Sequence, residues 1–118
     1  MELIKIINKN ELTRVRPEDV VCLRAEGNYT YMTLCTGKEY KFTRQIGEFA
    51  KVFEQMDINP FIRVGRSLIV NKRYVFQINL TDQHIILAGN GLNRELVVTA
   101  RRDPLCELME RLIKDGGQ

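Results

Sequence analysis

The basic side chains of this sequence are grouped in two segments instead of being spread evenly. Residues 61–75 contain no acidic residue and four basic ones, which are Arg63, Arg66, Lys72 and Arg73. The pair Arg101–Arg102 forms the second group. A guanidinium group offers a fork of donors that fits a phosphate or the edge of a guanine. The grouping therefore favours a polyanionic ligand, with scattered solubilising charge as the alternative interpretation.

A third segment, Glu26-Gly27-Asn28-Tyr29, also contains groups that recognise nucleic acids. The amide of Asn28 can pair with an adenine, and Tyr29 can contact a phosphate or pack on a sugar. Taken alone, these residues fit better with a turn followed by a core aromatic. The segment becomes a candidate site only together with the two basic groups.

Strands are the elements that must position these residues. Short stretches of alternating or apolar residues, separated by Gly, Asn and Pro, predict strands. The predicted strands are residues 3–8, 12–15, 20–25, 29–35, 39–43, 61–64, 68–70, 74–80, 84–88 and 95–99. We therefore predict a mostly β protein, built of small packed β-sheets with two short amphipathic helices.

The two helices follow from a change of apolar period. Ile46, Phe49, Ala50 and Phe53 form a helical stripe and predict a helix over residues 45–56, ended by Asn59-Pro60. The second helix is expected to begin with Asp103 as its N-cap and Pro104 in its first turn, and to stop at Gly116-Gly117. A long strand-like stretch separates them, which argues against a helix-turn-helix protein.

Composition places limits on the class of protein. The chain has 118 residues, a net charge of +3 and a pI near 8.9, so we expect a single domain over residues 1–118 that tolerates a polyanion. The N-terminus lacks the basic start of a signal peptide, and no apolar run is long enough for a membrane span. These features predict a cytoplasmic protein with no membrane partner.

Catalytic and metal chemistry find little support in the sequence. The three cysteines form no C-x-x-C pair, and His84 is the only histidine, so we expect reduced thiols and no metal site. There is no glycine-rich phosphate loop and no nucleophile motif around Ser67. We predict that the protein is not an enzyme and needs no cofactor.

Three segments, in order, resemble the LytTR family of DNA-binding domains. Residues 21–29, VCLRAEGNY, are similar to the family pattern hydrophobic-x-hydrophobic-x-A-E-G-N-Y. Residues 61–71, FIRVGRSLIVN, are similar to F-x-R-x-H-R-S-x-x-V-N, and residues 97–102, VVTARR, to h-x-V-S-R-R. The resemblance extends over roughly residues 12–113, and the order of the segments makes it more specific than any one of them.

The resemblance implies sequence-specific binding of double-stranded DNA in bacterial transcription control, as in response regulators. It implies that loops enter successive major grooves, that the DNA bends, and that sites are direct repeats on which another copy of the chain binds alongside. Carried over to this sequence, Arg66 and Arg101 are the candidates for base contacts. The other residues expected at the DNA are Asn28, Tyr29, Arg63, Ser67, Asn71, Lys72 and Arg102. Arg63 and Lys72 are better suited to phosphate, and Asn71 has the alternative role of holding its own turn.

Two departures from the family pattern leave alternatives open. Gly65 stands where the family often has His, which removes one polar contact, and Thr99 stands where it often has Ser. Such domains usually follow a receiver or membrane segment, so the sequence is either a stand-alone regulator or a fragment. The alternative function is a protein–protein interaction module of the same fold that binds a regulatory partner.

Overall fold

Ten strands and two helices make up the computed structural model, which describes residues 3–89 and 91–115. In chain order they are β1 Ile4–Asn8, β2 Glu11–Val15, β3 Val20–Glu26, β4 Tyr29–Leu34, β5 Glu39–Phe42, α1 Ile46–Glu54, β6 Phe61–Val64, β7 Leu68–Asn71, β8 Val75–Asn79, β9 His84–Leu87, β10 Leu96–Thr99 and α2 Arg102–Lys114. Short 3-10 turns, Pro17–Asp19 and Lys72–Tyr74, precede β3 and β8. The mostly β class predicted from the sequence is confirmed.

The strands form three antiparallel sheets. The largest has five strands in the order β5-β4-β3-β7-β6, a second has three in the order β10-β9-β8, and β1 pairs with β2 alone. All the pairs are antiparallel, as expected where tight turns join successive strands. The five-stranded sheet carries two of the three segments singled out in the sequence, and the third follows β10.

The five-stranded sheet is covered on both faces, and its two faces lie in different hydrophobic clusters. Leu23 of β3 packs in one cluster with Phe49 and Phe53 of α1. Its neighbour Cys22 packs in the other cluster with Leu105 of α2 and with residues of the three-stranded sheet. Because successive side chains of a strand point to opposite faces, β3 is apolar at consecutive positions instead of alternating.

Aromatic contacts fix the position of α1 on its face of the sheet. The rings of Phe53 and Phe61 stack with centroids 4.0 Å apart, and Phe42 meets Phe49 edge-on at 5.6 Å. Pairs of this geometry add stabilisation beyond the apolar area that they bury. The helical stripe predicted from Ile46, Phe49 and Phe53 is thus the buried face of α1.

The predicted helix ends differ from the structure in detail. The sequence predicts Asp103 as the N-cap of α2, but the helix begins at Arg102 and the N-cap is Arg101. Asp103 lies in the first turn, where a carboxylate interacts favourably with the helix dipole. Pro104 also fits there, because the first N–H groups of a helix have no partner within it. The predicted stop at Gly116-Gly117 lies outside the described residues.

The side chain of Asn71 is fully buried and bonded within the protein. Its Nδ2 donates to the carbonyl oxygens of Val20, at 2.9 Å, and Pro17, at 3.3 Å, and its Oδ1 accepts from the N–H of Arg73 at 3.0 Å. The expectation that Asn71 contacts DNA is therefore wrong, because no part of this side chain reaches the surface. The alternative, that it holds its own turn, is confirmed.

Replacing Asn71 with Ala should lower the free energy of unfolding by about 2–4 kcal/mol, since buried backbone groups lose their partners. Urea denaturation measures the change. Asn28→Ala is the matched control: Asn28 is exposed, and its loss should change stability by less than about 0.5 kcal/mol. Equal effects of the two substitutions would contradict the structural role of Asn71.

Candidate nucleic-acid interface

Two of the three candidate segments lie side by side at one end of the strands of the five-stranded sheet. Strand β3 pairs with β7 up to Arg24 opposite Leu68, and the Ala25 N–H extends the pairing by donating to the Ser67 carbonyl oxygen at 2.9 Å. At the same end, Glu26 faces Tyr29 across the two-residue turn to β4. The turn at Gly27-Asn28 and the β6–β7 turn, residues 65–67, are therefore neighbours.

The third segment, residues 99–102, lies across a groove from the β6–β7 turn. The groove has a volume of about 1050 Å³, and residues 24–26, 64–68, 83 and 99–104 line it. Gly65 and Pro104 approach closely at one point, where a Cβ added to Gly65 would lie 3.3 Å from the Pro104 Cγ. The start of α2 and the β6–β7 turn are thus held against each other.

Three of the basic residues predicted to bind DNA line this groove. Arg66, Arg101 and Arg102 are exposed, and within residues 3–89 and 91–115 none of their side chains forms an ion pair. Ser67 also lines the groove and is exposed. The folded chain therefore brings together two segments that are more than thirty residues apart in sequence, and leaves their donors available to a ligand.

Arg63 has a different place from the other arginines. It lies on β6, and its Nη2 donates to the Arg66 carbonyl oxygen at 3.0 Å. Strand alternation puts it on the face covered by α1, and a Cβ on Gly47 of that helix would lie 3.6 Å from its Nη1. The guanidinium group therefore supports the turn that carries Arg66.

Lys72 is not part of the site. Strand β7 separates it from Arg66, so it lies at the opposite end of that strand, where its Nζ forms an ion pair with Asp115 at 2.7 Å. The hydrogen bond from Lys72 lowers the pKa of the Asp115 carboxyl group. The expectation that Lys72 contacts phosphate is not favoured by this place, which is outside the groove that Arg66 lines.

The first segment gains a cation that sequence reasoning missed. Asn28 is exposed, Tyr29 is 39% exposed, and the Nζ of Lys41 lies 4.3 Å from the centroid of the Tyr29 ring. The pairing of β4 with β5 brings Lys41 to this place: Lys41 faces Tyr31, which is two positions from Tyr29 on the same side of β4. An aromatic ring with a cation on its face suits the sugar–phosphate backbone.

Arg24 is a second residue of the site that sequence reasoning missed, and nearby carboxylates already neutralise its charge. It lines the groove and pairs with Glu26 at 3.2 Å and with Glu39 through a short contact. The sequence feature that indicates the first of these ion pairs is the two-residue spacing of Arg24 and Glu26, which puts both side chains on one face of β3. Two carboxylates around one guanidinium leave Arg24 less able to attract a phosphate than Arg66 or Arg101.

The remaining reactive side chains do not form a second centre. Burial raises the pKa of the Cys22 thiol to about 11, so the thiol stays protonated at neutral pH within its hydrophobic cluster. Among residues 3–89 and 91–115, no three His, Cys, Asp or Glu side chains are close enough to hold a metal ion. In the same part of the chain, no helix is both long and apolar enough to cross a membrane.

The geometry of the groove agrees with a comparison of the sequence with known families. The model of the LytTr DNA-binding domain matches residues 10–110, which include all three candidate segments. The chain belongs to the LytTR family. It is therefore a domain of a DNA-binding family that acts in transcription regulation.

A solved LytTR structure has the same fold. It is the LytTr DNA-binding domain of a protein described as a methyl-accepting/DNA response regulator, from Bacillus cereus, and it superposes with a TM-score of 0.64. The match covers 95% of this chain and 97% of that chain at 18% sequence identity. No curated protein sequence matches the chain significantly.

Gly65 stands where the LytTR family often has His, and the structure gives two reasons for a glycine at this position. Its φ is +69°, in the left-handed region that glycine adopts readily, and Pro104 leaves little space for a Cβ. The β6–β7 turn therefore approaches α2 more closely than a larger residue would allow. Arg66 follows Gly65 in this turn and lines the same groove as Arg101.

We expect Gly65→Ala to destabilise the protein by about 1–3 kcal/mol, because the new side chain is strained by φ and crowded by Pro104. Gly27→Ala is the matched control: Gly27 has a φ of +59° but no atom within 4 Å of an added Cβ. Chemical denaturation of both variants isolates the crowding from the strain. A Gly65→Ala variant no less stable than Gly27→Ala would show that the approach to Pro104 is not tight.

Proposed function

We propose that this LytTR domain binds duplex DNA sequence-specifically in bacterial transcription regulation, with three turns as its reading elements. The observation that supports this most directly is the placement of Arg66 and Arg101 on the two sides of one groove, both exposed and without an ion pair in residues 3–89 and 91–115. A guanidinium group bonds the O6 and N7 of a guanine in the major groove through two parallel hydrogen bonds. Arg66 and Arg101 are the base-reading residues in this proposal.

The neighbouring residues position the domain on the backbone of the DNA. Arg102, Ser67 and the Lys41–Tyr29 pair are exposed and suit phosphate and sugar contacts, which fix register without reading sequence. Asn28, at the tip of the first turn, has an amide that can reach a base or a phosphate. Arg63 supports the turn that carries Arg66, because its guanidinium group donates a hydrogen bond to the Arg66 carbonyl oxygen.

The size of the domain fits contacts in successive major grooves. Its extents are 43 × 32 × 28 Å, and successive major grooves on one face of DNA are about 34 Å apart. The three turns lie close together around one groove, so parts of the domain on either side of them reach the DNA more readily if it bends towards the protein. We propose such bending, and the binding of a second copy on a direct repeat about one helical turn away. Residues 1–118 act as one domain in this account.

Acidic side chains in the groove make indiscriminate phosphate binding weaker. Glu26 and Asp103 line the same groove as Arg66 and Arg101. A groove of mixed charge repels some phosphates that a purely basic one would attract, so correct base contacts supply a larger share of the binding free energy. The modest net charge of +3 agrees with this.

One surface favours the alternative, a protein-interaction module. Strands β8, β9 and β10 contain no charged residue, and Phe76 and Val97 on them are 68% and 60% exposed. Large exposed apolar side chains on an uncharged sheet are typical of protein contacts. Binding through this surface would depend weakly on salt, whereas DNA binding through phosphates weakens steeply as salt rises.

We expect Arg66→Ala and Arg101→Ala each to cost about 1–3 kcal/mol of binding free energy on a selected DNA site, and to relax the preference at one base pair each. Electrophoretic mobility shifts on matched and scrambled duplexes measure both effects. Lys72→Ala is the charge-matched control. Because Lys72 lies at the other end of β7 and outside the groove, its loss should leave the affinity for DNA within a factor of about two.

If neither Arg66→Ala nor Arg101→Ala changes the affinity for the selected DNA site, the proposal is contradicted. An equal loss of affinity for Lys72→Ala would show that DNA contacts the end of the sheet where Lys72 lies, outside the groove. Binding of a protein partner that survives nuclease treatment and high salt, with no selected DNA site, would favour the interaction module.

A further inference from the structure

The turn between β8 and β9 ends in a residue with an uncommon backbone conformation. Gln83 has a φ of +53°, in the left-handed region that side chains other than glycine and asparagine seldom adopt. The turn before it is closed by Asn79, whose Oδ1 accepts from the Asp82 N–H at 2.9 Å and whose Nδ2 donates to the Asp82 carboxylate at 3.2 Å. The conformation is therefore built into an ordered turn.

Gln83 lies in the groove, beside the third candidate segment. It lines the groove together with Thr99 and Arg101, and its side chain is exposed. Its carbonyl oxygen accepts from the Ala100 N–H at 3.3 Å, which joins the β8–β9 turn to the segment that carries Arg101. A ligand that reaches Arg101 therefore also meets Gln83.

The left-handed conformation alone does not indicate function. Lys9 has a φ of +54° in the β1–β2 turn and does not line the groove, so hairpin geometry accounts for such a residue by itself. What distinguishes Gln83 is the combination of this conformation with its place in the groove. Glycine would adopt the same backbone with less strain but would offer no side chain.

We propose that Gln83 is a fourth reading residue, which determines specificity at the base pair next to the one read by Arg101. The amide of glutamine can bond the N6 and N7 of an adenine at the same time, which makes adenine the base that it would select. Gln83 carries no charge, so its contribution is to sequence preference instead of to phosphate attraction. The inference rests on the proposed DNA binding and adds a base contact to it.

Opposite effects on stability and on binding follow for Gln83→Gly. The substitution relieves the strained backbone, so the Tm should be equal to or above that of the wild type. It also removes the amide, so affinity for the selected site should fall about tenfold. Gln83→Asn tolerates the same φ and keeps an amide one methylene shorter, so it should recover part of the preference.

The experiment is selection from randomised duplexes, followed by sequencing, with the wild type, Gln83→Gly and Gln77→Ala. Gln77 is an exposed glutamine on β8 that does not line the groove, so Gln77→Ala is the matched control and should select the wild-type motif. We expect Gln83→Gly to lose the adenine preference at one position and to keep the rest. Thermal denaturation of the three proteins confirms that each is folded.

Each other outcome overturns a different claim. An unchanged motif and affinity for Gln83→Gly would refute the reading role of Gln83 while leaving the proposed DNA binding intact. A uniform loss of preference at all positions would make Gln83 a support of the Arg101 segment and would also refute a base contact. Failure of the wild type to select any motif would overturn the proposed function itself, and this inference with it.

Discussion

Strand β3 is the element on which the arrangement of the site depends. It is the central strand of the five-stranded sheet and is paired on both sides and packed on both faces, with Leu23 in one cluster and Cys22 in the other. A one-residue slip would move its side chains to the wrong faces, so its register is strongly specified. Because β4 and β7 are antiparallel to β3, their first residues meet its end, and the two turns that carry Asn28 and Arg66 lie at the same end of the sheet.

The second constraint is the contact between the two halves of the groove. Strand β10 is followed within three residues by α2, and Gly65 closely approaches Pro104 in the first turn of that helix, next to the groove that Arg66 and Arg101 line. Leu105 and Leu108 anchor α2 in the core behind this contact. The arginines thus project from short turns on a rigid support, which limits the entropy that they lose when they bind a base.

Much of the fold could be predicted from the sequence, and so could the central residues of the site. Alternation, apolar runs and turn residues indicate every strand, because each strand is short and most are followed or preceded by Gly, Asn or Pro. What periodicity cannot give is the partner of each strand. Lys72 was therefore grouped with the DNA-binding residues although it lies outside the groove, at the other end of β7, and Asn71 looked available although it is fully buried. Lys41, a residue brought in by cross-strand pairing, was missed for the same reason.

The most direct test of the account is an amide chemical-shift titration of the 15N-labelled chain with duplex DNA. We expect shifts concentrated at residues 27–29, 65–67 and 99–102, with residues 71–74 and 110–115 unaffected. We also expect the shifts to diminish as salt rises, because phosphate contacts are screened. Shifts concentrated on the outer face of β8, β9 and β10, or around Lys72, would show that the groove is not where this LytTR domain binds DNA.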